Sequence, residues 1–321
     1  YGERLYFSRF DDETVGSDGT GTFHVYVRQH GTETAVIQGD AYHEAPVATR
    51  HANTPAVSPN GEHVVVSVEM EEQGNGRPGS VHAKRHGGTG VYTDLYRMSP
   101  DGLRWNKLTG YAPFVNTPFF PHTPNGALIP QWHGNNSVIW TQMIGYTPDK
   151  VLGIREIALA TFVDPAGPPS LASLRTFRPS WGQGARFYEV WGIADGMALV
   201  ASDFRRQSHA YPGISLWEVG SHELRDLSAG NPNDWEEQAF FFDGRIFFMS
   251  TAGLGYAPQG GNGVNFWRTF QTELWVMDVD GTHRERVTNI NDPGHGDYVY
   301  REEGDTVRVG GNLGPTGRLI R

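Results

Sequence analysis

The strongest constraint on what this chain can fold into is a phrase that it writes twice. The segment 273–289, ELWVMDVDGTHRERVTN, lies without gaps on 94–110, DLYRMSPDGLRWNKLTG, at a shift of 179 residues. Leu274 falls on Leu95, Met277 on Met98, Asp280 on Asp101, Gly281 on Gly102 and Thr288 on Thr109. Apolar and polar residues alternate, the chain turns at Asp-Gly, and the alternation resumes, which is how a β-hairpin with one wet face is written. Weaker copies at 24–39, 156–177 and 215–230 bring the number of such hairpins to five.

Most of these hairpins follow another, with turns expected at Gly61, Gly126, Gly196 and Gly244. Two consecutive hairpins make a four-stranded meander, and meanders repeated every 45 to 70 residues or so bury their faces by stacking radially. The expected fold is all-β, a β-propeller of five blades in a single domain spanning 1–321. The N-terminus supplies RLYFSR, HVYVR and TAVIQ, three strands lacking an inner partner, and the tail DYVYREEGDTVRV is expected to complete that first blade. A sixth blade built from TVRVGG and GRLIR is the alternative. With 41 glycines and 20 prolines, few windows run three turns without a breaker, so helices should be scarce.

The pairs LYRMSPDG…KLTG and LWVMDVDG…RVTN, with Ser-Pro-Asn/Asp-Gly turns ahead of Val/Ile/Phe-rich strands, resemble the WD40-like repeat of TolB-type β-propeller proteins over nearly the whole chain. The run DWEEQAFFFDGRIFFMS…ELWVMDVDGTHRERVTNINDPGH is similar to an exported bacterial group of these propellers. The resemblance implies the fold and a periplasmic or extracellular location. It implies little about chemistry, because propellers host binders, scaffolds, lyases and hydrolases alike. Phe242-Asp243-Gly244 and Ala194-Asp195-Gly196 depart from the Ser-Pro-Asp-Gly turn.

Composition narrows the partners. A formal charge of -10 with interspersed acids and bases disfavours a phosphate-tracking surface, so nucleic acid is not an expected partner. No stretch approaches the roughly 18 apolar residues of a membrane span. The absence of cysteine excludes disulfides, iron–sulfur clusters and thiolate-bound zinc. The opening YGERLYFSRF shows no basic segment leading into an apolar run, as a secretion signal would.

Long insertions recur between the second and third strands of each expected blade, at 10–22, 70–92, 145–154, 204–213 and 253–272. Loops of this kind carry function more often than tight turns do. Counting back ten residues from the expected inner-turn glycines reaches His51, Asn116, Arg186 and Asp234, and nine back from Gly304 reaches His295. Asn53, Tyr188, Glu236 and Asp297 lie two positions on, with Pro118 at the corresponding place in the remaining blade. Together these form an expected ring of polar groups at the mouth of a central channel. His51, His295 and Asp234 could coordinate a divalent cation, although the pattern requires no cofactor, and Arg186 could hold a sugar carboxylate beside a histidine base. The competing reading is that polar residues at strand entrances satisfy the backbone of the blade connections.

A second set of candidates lies on the rim loops. Tyr256, Phe266 and Trp267 suit sugar stacking or a protein hot spot, and Arg205, Arg206 and His209 could add anion recognition. His82 and His86 are four apart, but the surrounding glycines argue against a helix that would present both to a metal. No Gly-x-Ser-x-Gly elbow and no phosphate cradle in its proper context occurs. The expected function is non-catalytic binding of a protein or glycan partner through the loop-rich face. The alternatives are a carbohydrate-active enzyme, such as a lyase of uronic acid chains, and a structural subunit of an envelope or extracellular assembly.

Overall fold

The structure, a computed structural model, describes residues 4–11, 22–36, 40–41, 51–69, 93–111, 114–115, 123–145, 153–164, 169–206, 211–228, 233–254, 271–296 and 298. The strands form five antiparallel blades arranged as a β-propeller, and the one helical element described is a short 3-10 turn, Trp181–Gln183. The chain divides into two compact units, the first built from described residues up to Phe177 and the second from Arg178 onward.

In the first unit, β1 (Arg4–Asp11), β2 (Thr22–Gln29) and β3 (Thr32–Ala35) make a three-stranded sheet in that order. The segment expected to complete it, beyond residue 298, lies outside the described residues, as does the basis for a sixth blade. The next sheet contains β4 (Asp40–Ala41), β5 (Ala52–Val57), β6 (Val64–Glu69), β7 (Thr93–Met98) and β8 (Arg104–Lys107), and β4 lies parallel along the outer side of β8. A two-residue ladder joins β9 (Phe114–Val115) to β10 (Thr123–Pro124). The third blade is a meander of β11 (Gly126–Trp132), β12 (Ser137–Gly145), β13 (Ile154–Val163) and β14 (Ser170–Phe177).

The second unit holds two more meanders. One is β15 (Tyr188–Ala194), β16 (Met197–Ser202), β17 (Gly213–Glu218) and β18 (Arg225–Asp226). The other is β19 (Glu236–Phe242), β20 (Arg245–Ser250), β21 (Glu273–Asp278) and β22 (Glu285–Arg286).

Within each unit, neighbouring blades are joined by their buried faces. Val25, Val64, Val66, Tyr96 and Trp105 pack between the first two sheets, and Ala56, Val65, Leu95, Trp140 and Ala158 between the second and third. Phe187, Leu199, Ile214, Ala239 and Phe248 fill the second unit. Each large side chain withdrawn from water in this way contributes about 1.5–3 kcal/mol, and burial on both faces explains why the inner strands read as nearly continuous apolar runs.

One turn lies elsewhere than local turn chemistry predicts. Asn125-Gly126 resembles the tip of a hairpin, but the Asn125 Oδ1 accepts the Gly126 amide and β11 begins there. The inner hairpin of the third blade turns instead at Gly134, whose φ of 71° matches 74°, 75° and 72° at Gly61, Gly196 and Gly244. These turns need positive φ, which glycine adopts without steric cost. Ten residues before Gly134 comes Pro124, so Asn116 and Pro118 do not hold the places in this blade that His51 and Asn53 hold in theirs. Asn116 and Pro118 themselves lie outside the described residues.

Candidate functional site

The four inner strands β5, β11, β15 and β19 each carry a register shift near their start, between Asn53 and Ala56, Leu128 and Gln131, Val190 and Gly192, and Glu237 and Phe240. The bulge puts Thr54, Ile129 and Gln238 at φ near 52–53°. This is costly for β-branched residues and is held by the packing around them. His51, Asn53, Arg186, Tyr188, Asp234 and Glu236 sit just before or within these bulges, where backbone groups need partners.

In the first unit, His51 is fully buried, accepts the Phe23 amide on its Nδ1 at 3.1 Å and lies against the Phe23 ring. Asn53 is buried and its Oδ1 accepts the Thr54 amide at 2.7 Å.

In the second unit, the Arg186 Nη1 donates to the carbonyls of Trp181 and Ala185, both at 2.7 Å, and its guanidinium stacks over the Trp181 ring at 4.0 Å. The Tyr188 hydroxyl donates to Pro179 O at 2.8 Å, and burial raises its pKa far above that of a free phenol. Asp203 accepts the amides of Arg186 and Phe187 at 2.7 and 3.0 Å. Thr251 does the same for Trp235 at 3.0 Å. Asp234 is half-buried. His295 is exposed, with its Nε2 3.5 Å from the Asn289 Nδ2. Asp297, Tyr256, Phe266, Trp267 and His209 lie outside the described residues. Among the described residues, no three His, Asp or Glu side chains gather as metal ligands.

Among the described residues, one charged cluster joins two of the candidates, Glu236 and Arg206. The Glu236 carboxylate, 2% exposed, accepts the Ser228 hydroxyl and the Arg284 guanidinium, and Arg206 Nη2 stands 3.7 Å from its Oε2. The Arg206 side chain is equally buried, at 2%. Its neighbour Arg205 is exposed, with φ 59° and its guanidinium 5.0 Å from the Phe204 ring.

The reason for the cluster lies in the repeat. In the second blade, Asp94 at the head of β7 accepts the Thr109 hydroxyl and the Tyr111 amide, and Thr109 Oγ1 accepts the Leu95 amide. Burial pushes the Asp94 pKa up against these hydrogen bonds and the Lys107 ammonium 3.4 Å away. In the last blade, Glu273 accepts the Thr288 hydroxyl and the amides of Ile290 and Asn291, and Thr288 accepts the Leu274 amide. The register of the repeated phrase places Gly213 and Ser228 at these positions in the fourth blade, where Ser228 accepts the Ile214 amide. Gly213 has no carboxylate to offer. A Cβ built on it would fall on the Arg206 guanidinium, which occupies the vacated space, while Glu236 of the following blade supplies the acid to Ser228.

Arg284, Ser228 and Gly213 were not singled out from the sequence. The signal for Gly213 is the interruption of the Asp94/Glu273 position. Arg284 had none, because its partner comes from 48 residues away.

The sheets and their turns define the class as an all-β propeller of TolB-like fold. The TolB protein of Acinetobacter baumannii superposes with a TM-score of 0.51 at 10% identity, over 90% of this chain and 53% of that one. A puromycin-hydrolysing peptidase of Mycobacterium tuberculosis gives 0.44 at 13% identity over 89% and 45%, and an oligogalacturonate lyase in complex with manganese gives 0.40 at 8% over 89% and 66%. This chain thus spans about half the length of the TolB protein that it matches. The likeness to the TolB protein describes fold alone. No protein-family model matches the sequence, and no curated protein matches it significantly.

Proposed function

We propose that the protein is a non-catalytic, exported β-propeller, a single domain whose long second-to-third-strand connections hold a protein or glycan partner. One observation carries this reading. In the four blades with four described strands the connection between the second and third strands is long: 70–92, 146–153, 203–212 and 251–272. The first-to-second turns are short, down to the residue pairs 195–196 and 243–244. In a meander these two kinds of connection leave from opposite ends of the blade, so length has accumulated at one end of each.

The described contacts of the candidate mouth residues favour a structural role for them over catalysis. The described polar contacts of His51, Asn53, Arg186 and Tyr188 go to backbone groups, and the Glu236 carboxylate is neutralised by two arginines. A general base needs an open acceptor within reach of substrate. The test is cross-linking of the purified chain to protein or glycan captured from its source, with the cross-linked peptides mapped. Attachment should concentrate in 70–92 and 253–272, whereas cross-links confined to the first-to-second turns would overturn the reading.

A further inference from the structure

A bulge interrupts β14, and a hollow opens beside it. Leu159 pairs with Arg175 and Thr161 with Ala172, which leaves Ser173 and Leu174 opposite Ala160 alone, with Ser173 at φ 54°. On the other side of β13, Thr161 pairs with Ser137 of β12. Residues paired across antiparallel strands share a face, and so do alternate residues of one strand. Ser137, Leu159, Thr161 and Arg175 therefore stand on one face of the third blade, while Ala158 and Ala160 on the other enter the core.

An unbroken register would set Leu174 opposite Ala160 on that core face. The extra residue re-aims it, as bulges do. Leu174 is 58% exposed and, with Ser173 and the four residues of the shared face, lines a hollow of about 300 Å³. That volume stands at the lower end of the roughly 300–1,000 Å³ of small-molecule sites.

The lining carries one sign of charge. Arg175 is the one charged residue among the six, is exposed, and has no acidic partner among the described residues. Its guanidinium lies 5.5 Å over the Phe177 ring. A guanidinium donates in a planar fork that fits a carboxylate, and the hydroxyls of Ser137, Thr161 and Ser173 add donors beside it. Leu159 and Leu174 supply an apolar wall. A cationic ligand finds no counter-charge in this lining, and a wholly apolar one would desolvate its polar groups without pairing them.

We propose that the hollow binds a small carboxylate borne on a compact, branched apolar body. The carboxylate pairs with Arg175 and the neighbouring hydroxyls, and the apolar body rests on Leu159 and Leu174. Two sources carry this chemistry, a free small acid and the C-terminal residue of a peptide chain. Ser137 and Thr161 lie toward the end of the blade away from the 146–153 connection, so this inference and the loop-end reading can fail separately.

The probes are isocaproate and N-acetyl-leucine, with N-acetyl-leucine amide as the uncharged control, titrated into the full chain and followed by methyl NMR of its leucines. Both acids should shift the Leu159 and Leu174 methyl signals saturably. The amide should bind about fivefold more weakly than N-acetyl-leucine, the scale of one exposed ion pair. Arg175→Gln should cost each acid a similar factor, whereas Leu174→Ser should weaken acids and amide alike. Both replaced side chains are exposed, so the unfolding midpoint of each variant should match that of the parent chain. Tighter binding of N-acetyl-leucine than of isocaproate assigns the ligand to a chain terminus, and equal or weaker binding assigns it to a free acid. Amide binding as strong as that of the acids, affinity unmoved by Arg175→Gln, shifts at other leucines alone, or no saturable shift would overturn the proposal.

Discussion

At the scale of single residues, Gly213 explains the most. Its lack of a side chain lets the Arg206 guanidinium reach the buried Glu236 carboxylate, so a methyl group there acts on an ion pair and not on the backbone. Gly213→Ala should destabilise the protein by about 2 kcal/mol, below the 3–5 kcal/mol of a fully broken buried pair because Arg284 and Ser228 still face Glu236. The same substitution made in an Arg206→Ala background should be nearly neutral. Equal costs in the two backgrounds, measured by urea unfolding, would dismiss the coupling.

His63 supplies a residue-scale pH dependence. It packs against the rings of Trp132 and Phe162, at 5.8 and 4.4 Å, with Asp164 3.7 Å away. Burial lowers its pKa; the Arg97 charge acts in the same sense, while Asp164 and Glu62 oppose it. The folded state therefore holds the proton less well than the unfolded chain, whose histidine titrates near the ordinary value of about 6.5. The stability tied to neutral His63 is complete above that pH and is lost as pH falls through the lowered folded value. The urea midpoint should drop between neutral pH and pH ~5, and His63→Phe should shrink that drop. An unchanged pH profile in the variant would rule His63 out as its source.

At the scale of elements, the recurring clasp at the head of the third strand fastens the fourth strand and the exit from each blade. Thr109 and Thr288 each donate to an acid and accept an amide, so one hydroxyl joins three segments. Thr109→Val and Thr288→Val keep the shape and remove the hydroxyl, and each should cost about 1–3 kcal/mol, because the acid and the amide lose a partner in a buried place. Thr→Ser at either position should be milder. Comparable losses for serine and valine would assign the effect to the methyl group instead.

These clasps were half legible in the sequence. The repeated phrase carries Asp94/Glu273 and Thr109/Thr288 in register, but nothing in it says that the two positions touch, because strand pairing brings together residues 15 apart. The mistaken turn at Gly126 has a similar origin. Pro-Asn-Gly is turn chemistry by local preference, and tertiary packing used it to begin a strand while His133–Asn136 made the turn.

At the scale of the whole molecule, the blades are built from paired strands and the insertions hang between them. Residues Arg245–Ser250 pair one for one with Asp278–Glu273 across the 255–270 insertion. Replacing 255–270 with a short glycine–serine linker should shift the unfolding free energy by no more than about 1 kcal/mol, since closure entropy varies only with the logarithm of loop length. Partner capture, measured in the same preparation, should fall. A collapse of stability would make the insertion part of the fold and not of a binding end.

The sequence by itself determined the all-β class, the meander repeat, the hairpin turns at three of four inner glycines, and the long second-to-third connections of four blades. Each is written in local alternation and turn chemistry, within the reach of a few residues. Only the tertiary structure decided which polar groups meet: Glu236 with Arg206 and Arg284, His51 with the Phe23 amide, and Arg186 with the carbonyls of its own entry loop. Such pairings depend on how neighbouring blades stack and where an inner strand bulges, and side-chain desolvation across that stacking leaves no periodic mark on the chain.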